Sequence, residues 1–397
     1  MTTQLDYAPV LERSDADGRA ISGDRSRFDI SSLTIDIQAR GVRMDAPMER
    51  RAGGAGPTDL GMLWIEGYRV TAPTTNVGDT PYSLRAEDEG YGIYVDGVRL
   101  AGAQAQKRPR YYDLKTADGI PYEQIALLHL DSLATTVIQT CTYWGNADQC
   151  TFCGIGVSLD AGRTIVKKTP EMLAEVAVAA RDLDGAVDAT LTTGSTRGVD
   201  RGARYVAKCA AAVKEASGLP VEVQFEPPYN LDVIDEVGDM GIDSVGIHLE
   251  TFDPEVLARV APGKARTGIE TYFAAWERAV KVFGEGQVST YVILGMGEDP
   301  EITIAGAKRA IDIGVYPLLV PLRPVVGSLM ADWPSPPSEY MEPIYRRVQT
   351  YMTLRGMDSN SAKAGCARCQ ACSGLKSLDA PIGAVPLTIG RGPLDLA

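Results

Sequence analysis

From about residue 130 the chain alternates short, almost unbroken apolar runs with longer amphipathic stretches. The runs are TTVIQTC, AVDATLTTG, LPVEVQFEP, DSVGIHLET, QVSTYVILGMG and YPLLVPLRP. Strands covered on both faces have this texture, because neither face alternates with solvent. Between them lie helical patterns. TPEMLAEVAVAARDL opens on Thr169 as an N-cap with Pro170 in the first turn, RGARYVAKCAAAVKEASG closes on Gly218, and Asp299-Pro300-Glu301 starts DPEITIAGAKRAIDIG. Strands and helices in strict alternation predict parallel βαβ units, so the fold class is α/β. Six units fall short of eight, which predicts a partial (β/α)6-type TIM barrel.

Flanking this region, the pattern changes. Residues 1–115 are rich in turns, and GMLWIEGYRV and YGIYVDGVRL read as hairpins turning at Glu66-Gly67 and Asp96-Gly97. GGAGP at 53–57 is a loop without a phosphate-binding pattern. The expected organisation is a β-rich accessory domain over 1–115, the barrel over 116–335, and a C-terminal extension over 336–397. In that extension a helix, PIYRRVQTYMTLRG, follows the Pro-rich ADWPSPPSEYMEP and precedes a cysteine cluster and an irregular tail.

Composition narrows the chemistry. Apolar residues make up 45% and charged residues 23%, as in ordinary globular proteins. No apolar run reaches the roughly 18 residues of a membrane span. The N-terminus lacks the basic start and apolar stretch of a secretory signal, so the expected location is the cytoplasm. A net charge of −13 argues against nucleic acid and anionic lipid as partners. With only two histidines, a HExxH metalloprotease or a Ser-His-Asp hydrolase is a poor fit.

Cysteine carries the signal instead. Of seven, six fall into two tight groups, Cys141, Cys150, Cys153 and Cys366, Cys369, Cys372; Cys209, on a helical pattern, reads as a small buried hydrophobe. Without a secretory signal, clustered thiols point to metal or redox sites before disulfides. The first group, CTYWGNADQCTFC, follows the first barrel strand, and barrel chemistry sits at the C-terminal ends of strands. Three thiolates leave one iron of a [4Fe–4S] cube open for a small ligand. Zinc prefers a closed set of four, and a redox pair at Cys150 and Cys153 calls for a thioredoxin-like context; both stay open from these residues alone.

A cysteine triad after strand one, with an aromatic residue before its last member (Phe152), resembles the radical S-adenosylmethionine (radical SAM) superfamily. The usual spacing there is C-x3-C-x2-C, and this chain has C-x8-C-x2-C. Further motifs follow in barrel order. LTTGST stands where the family has a GGE-like turn that holds the methionyl amine, leaving Thr192, Thr193, Gly194 and Ser195 as candidates without the glutamate. IHLET resembles the HNLET stretch of lipoyl and biotin synthases, placing Glu250 at the SAM ribose with His248 beside it. YVILGMGE is similar to GxIxGxxE, with Ile293 and Gly295 expected at the adenine and Tyr291 where the family has glycine. Arg266, in PGKARTG, is the expected partner of the SAM carboxylate.

The resemblance implies a [4Fe–4S] cluster on Cys141, Cys150 and Cys153, and SAM as cofactor. Reductive cleavage would give a 5′-deoxyadenosyl radical that abstracts hydrogen from a small organic substrate, with an external electron donor such as flavodoxin or ferredoxin. Cys366, Cys369 and Cys372 resemble the ligands of a second, auxiliary iron–sulfur cluster, of the [4Fe–4S] or another type; zinc is the alternative. The whole pattern also resembles radical SAM proteins encoded beside nitrilases in bacterial gene clusters. Competing readings are sulfur insertion from the auxiliary cluster, a non-catalytic iron–sulfur electron-transfer protein, and tRNA modification, the last disfavoured by the acidic charge.

Overall fold

A computed structural model of the chain describes residues 30–44, 60–74 and 80–379. The loop at 53–57, the N-terminal stretch read for a secretory signal and the tail beyond 379 lie outside the described residues.

Helix α1 (Ile30–Arg40) leads into a six-stranded sheet made of β1 (Arg43–Met44), β2 (Leu60–Ile65), β3 (Tyr68–Pro73), β4 (Tyr82–Ala86), β5 (Tyr91–Val95) and β6 (Val98–Ala105). Its order is β1-β4-β5-β6-β2-β3, and every pairing except β1 with β4 is antiparallel. Both predicted hairpin turns are present. Glu66 and Gly67 take φ of 46° and 85°, Asp96 and Gly97 take 49° and 81°, the left-handed pair that suits two-residue hairpins. Helix α1 was not expected. Its ISSLTIDIQAR alternates apolar and polar residues like a strand because it is buried on two sides: Leu33 and Ile37 enter the core of the small sheet, while Ile35 and Ala39 enter the core of the larger one.

The second sheet has seven strands in the order β13-β12-β11-β10-β9-β8-β7. They are β7 (Leu127–His129), β8 (Ser132–Thr136), β9 (Asp188–Thr192), β10 (Val221–Gln224), β11 (Ser244–Gly246), β12 (Val288–Leu294) and β13 (Val315–Pro321). β8 to β13 are parallel, and β7 pairs antiparallel at the edge. This is the expected partial β/α barrel. The short α2 (Ile155–Asp160) follows the first cysteine loop, and α3 (Pro170–Asp184), α4 (Ala203–Ser217), α5 (Asp232–Asp239), α6 (Pro254–Val260), α7 (Pro262–Thr267), α8 (Ile269–Phe283) and α9 (Pro300–Ile313) alternate with the strands. Thr169 caps α3 by accepting from the Met172 N–H, and Asp299 caps α9 by accepting from Glu301 and Ile302. Cys209 is fully buried on α4. The first barrel strand ends at Thr136, earlier than TTVIQTC suggested; Val137 and Gln139 continue hydrogen bonding, to Thr192 and Val166, as the chain bends towards Cys141.

After β13, α10 (Ser338–Arg355) starts ahead of Pro343 rather than at it. The chain then crosses beneath the barrel. Lys363 N–H donates to Gln287 Oε1, Ser244 Oγ donates to the Ala364 carbonyl, and Gly365 N–H donates to Asp188 Oδ2 at 2.6 Å. Asp188 and Ser244 open their strands and Gln287 precedes β12, so this segment, ending in α11 (Cys366–Cys369), forms the floor of the barrel. Among the described residues, no helix is long and apolar enough to cross a membrane.

Candidate active site

Cys141, Cys150 and Cys153 lie at the mouth of the barrel, on the loop between β8 and α2. The turn after β9 positions them. Gly194 N–H donates to Ile138, and Thr142 N–H donates to Ser195. A Cβ on Gly194 would stand 2.0 Å from the Thr140 carbonyl oxygen, so only glycine lets the two turns approach this closely. The eight residues between Cys141 and Cys150 form two tight turns, with Trp144 N–H bonded to Cys141 and Gln149 N–H to Asn146. Trp144 packs on Gly156, Tyr143 packs on Gly263, and Gly263 N–H reaches the Asp148 carbonyl. The loop is thereby folded onto α7.

Two buried ion pairs flank this loop. Glu226, just past β10, is paired with Arg201 at 2.5 Å, with side chains 3% and 6% exposed. It also accepts from Tyr143 Oη at 3.1 Å, Ser195 Oγ at 2.6 Å and Thr267 Oγ1 at 3.0 Å. Glu250, past β11, is paired with Lys264, whose ammonium also donates to the His248 carbonyl at 2.6 Å. Burial works against the Lys264 charge, and the Glu250 carboxylate outweighs it, so its pKa is raised. Arg201 and Glu250 both hold left-handed backbone, with φ of 53° and 79°. Such residues cost of order 1–3 kcal/mol and persist where surroundings impose them. Here β12 imposes it: Glu250 N–H donates to Tyr291 and its carbonyl accepts from Ile293.

Burial pushes the Cys150 thiol up and Cys153 to about 11, and Lys264 pulls both back. All three thiols lie on the one loop between β8 and α2, where Cys153 N–H donates to the Cys150 carbonyl. Among the described residues no three Cys, His, Asp or Glu converge as one metal ion would require. A donor set of three free thiols on one loop suits a multi-iron cluster, whose ligands sit on different irons.

The remaining predicted residues divide. Phe152 packs against the barrel core. Thr192 ends β9, and Thr193 N–H bonds the Gln224 carbonyl. Ile293 is half-buried beside Glu250. Gly295 has φ of 99° and is covered by Pro336, while Glu298 accepts from the Gly295 and Met296 N–H groups and closes the turn. Arg266 does not join the buried groups: its side chain is 59% exposed and pairs with Asp148 on the cysteine loop. The cation at Glu250 is Lys264, two residues earlier. Helix α7 turns that side chain inward and Arg266 outward. Lys264, Glu226 and Arg201 are absent from the sequence-based candidates. A charge within PGKART and an acid two residues beyond VEVQ were the available signals.

His248 lies lower in the barrel. Nδ1 accepts from the Tyr291 N–H at 3.2 Å, so the neutral ring carries its proton on Nε2. Burial and Lys264 lower its pKa to about 3. Nε2 is buried without a hydrogen-bond partner. Below it stands the second triad. Cys366 Sγ accepts from Tyr291 Oη at 3.1 Å and Gln224 Nε2 at 3.3 Å. Cys369 packs with Met62, Leu130 and Ala371, and Cys372 Sγ lies 3.5 Å from Thr71 Oγ1 on β3. Arg368 binds Asp188 at 2.8 Å and Asp131 at 2.7 Å, fastening α11 to the floor.

The profile of the radical SAM superfamily matches residues 141–309. Bacteriochlorophyllide c C-7(1)-hydroxylase of Chlorobaculum limnaeum is 25% identical over 305 residues, 69% of this chain and 76% of that protein. Among solved structures, methylornithine synthase (PylB) is 18% identical, covering 58% of this chain and 69% of its own, with a TM-score of 0.42. A radical SAM methyltransferase from Sphaerobacter thermophilus is 17% identical, covering 70% and 76%, with a TM-score of 0.43.

Proposed function

We propose that this chain, whose residues 141–309 match the radical SAM profile, is a radical SAM enzyme that abstracts hydrogen from a small organic substrate held in the barrel lumen, between SAM at the mouth and a second iron–sulfur cluster at the floor. The observation that carries this reading is the placement of the two triads. Cys141, Cys150 and Cys153 sit beyond the C-terminal ends of the strands, and Cys366, Cys369 and Cys372 follow Ala364 and Gly365, which bond to the first residues of β11 and β9. Between them the inward residues Thr192, His248, Tyr291, Ile293 and Val320 stay partly exposed.

When bound, a [4Fe–4S] cluster with SAM supplies reductive cleavage of the sulfonium and a 5′-deoxyadenosyl radical. The first triad would hold that cluster, and its three thiols leave one position for the methionyl group. Glu250 can accept two hydrogen bonds from a ribose diol. Lys264, rather than Arg266, offers the buried cation for a carboxylate. Glu226 and Ser195 offer a carboxylate and a hydroxyl where LTTGST lacks the acidic residue. The folded 142–149 loop excludes water from the first triad. His248 Nε2–H orients a substrate through an acceptor atom. An external reductant completes the requirement.

The test is anaerobic reconstitution followed by iron analysis, reduction and assay of 5′-deoxyadenosine. About eight irons per chain are expected from two four-iron clusters, with SAM cleavage abolished in Cys150→Ala. Zinc in place of iron, or no cleavage after reduction, overturns the reading. Labelled auxiliary sulfide recovered in product would instead establish sulfur insertion.

A further inference from the structure

The β12 motif departs from its family pattern at Tyr291, and the structure gives that side chain a specific place. Its hydroxyl donates to Cys366 Sγ at 3.1 Å from the lumen wall. Gln224, at the end of β10, donates to the same sulfur at 3.3 Å through Nε2. The second hydrogen of that amide goes to Glu222 Oε1, which fixes the orientation of the first. Tyr291 is fixed as firmly. Its N–H donates to His248 Nδ1, its carbonyl accepts from Glu250 N–H, and its ring meets the His248 ring edge-on at 4.6 Å. Cys366 thus receives two side-chain hydrogen bonds from barrel strands, whereas Cys372 receives one longer contact from Thr71. Hydrogen bonds to ligand sulfur stabilise the more negatively charged, reduced state of an iron–sulfur centre and raise its potential.

We propose that Tyr291 and Gln224 are positioning residues that raise the reduction potential of the cluster held by Cys366, Cys369 and Cys372. This rests on the second-cluster reading above. Tyr291 also ties that potential to the lumen, because it contacts Glu250, His248 and Cys366 at once.

The experiment is an EPR-monitored redox titration of the reconstituted full chain, comparing Tyr291→Phe and Gln224→Met with the parent protein. Each substitution should move the second cluster to lower potential, by about tenfold in its reduction equilibrium, or about 59 mV for one electron. The first cluster should not move. In Tyr291→Phe, an exchangeable-proton coupling to the second cluster, seen by electron–nuclear double resonance on exchange into D2O, should be lost. Gln224→Met carries the test if Tyr291→Phe fails to fold. Two clusters present with the second potential unmoved overturns the proposal. Four irons and a single cluster signal overturns the second-cluster reading and the proposal with it.

Discussion

The two cysteine triads of this chain are anchored on opposite plans. The first is held mostly by backbone: Thr142 and Gly194 tie its loop to the turn after β9, and Thr151 N–H ties it to Val260. The Arg201–Glu226 and Lys264–Glu250 pairs flank it. The second is held by side chains reaching from both sheets: Tyr291, Gln224, Asp188 and Glu222 from the barrel, the last two accepting from Gly365 and Cys366 N–H, and Thr71 from the small sheet. A backbone-anchored loop tolerates varied side chains and an expanded spacing. The side-chain-anchored segment from Gly365 to Cys372 cannot, because each contact depends on one residue.

The largest effects should separate the triads outright. Cys150→Ala should abolish 5′-deoxyadenosine formation and remove about half the iron, while Cys369→Ala should remove about half the iron and leave SAM cleavage in place; iron analysis and product chromatography check both. Next come the buried ion pairs. Arg201→Met strands Glu226, and Arg368→Met strands Asp188, whose side chain is fully buried. Each should cost about 3–5 kcal/mol in chemical denaturation, and equilibrium dialysis should show SAM affinity lost in the first variant and kept in the second.

Gly194→Ala is a smaller perturbation with a sharper address. The added methyl meets the Thr140 carbonyl, so it should cost about 1–3 kcal/mol. It should lower occupancy of the first cluster while the EPR signal of the second is unchanged.

The smallest effect is a pH dependence behind the first loop. Lys168 is fully buried, donating to the Thr136 carbonyl, Gln139 Oε1 and Thr164 Oγ1, and burial lowers its pKa to about 7. Between pH 7 and its usual value near 10.4 the unfolded chain binds the extra proton, so the stability contributed by this residue rises with pH. Denaturation at pH 7 and pH 9 should show the parent protein gaining on Lys168→Met; an equal gain in both would remove Lys168 as the cause.

Much of the barrel was legible because burial on both faces writes itself into apolar runs, and caps such as Thr169 and Asp299 are local. Helix α1 was not, since packing between two cores erases the single apolar stripe that marks a surface helix. Glu250 could be assigned to the mouth because its strand fixes its position. Arg266 and Lys264 could not be told apart, because two residues on one short helix face opposite ways only once the helix is docked.

By itself, the sequence determined the strand order of chemistry: which cysteines group, which strand ends carry polar residues, and which superfamily these resemble. Those are properties of local spacing. The tertiary structure alone decided that Cys366 stands beneath the lumen, that Tyr291 and Gln224 reach it, and that Thr71 flanks Cys372 from 301 positions away in the chain. Contacts across that separation depend on how whole sheets pack, and no local pattern encodes them.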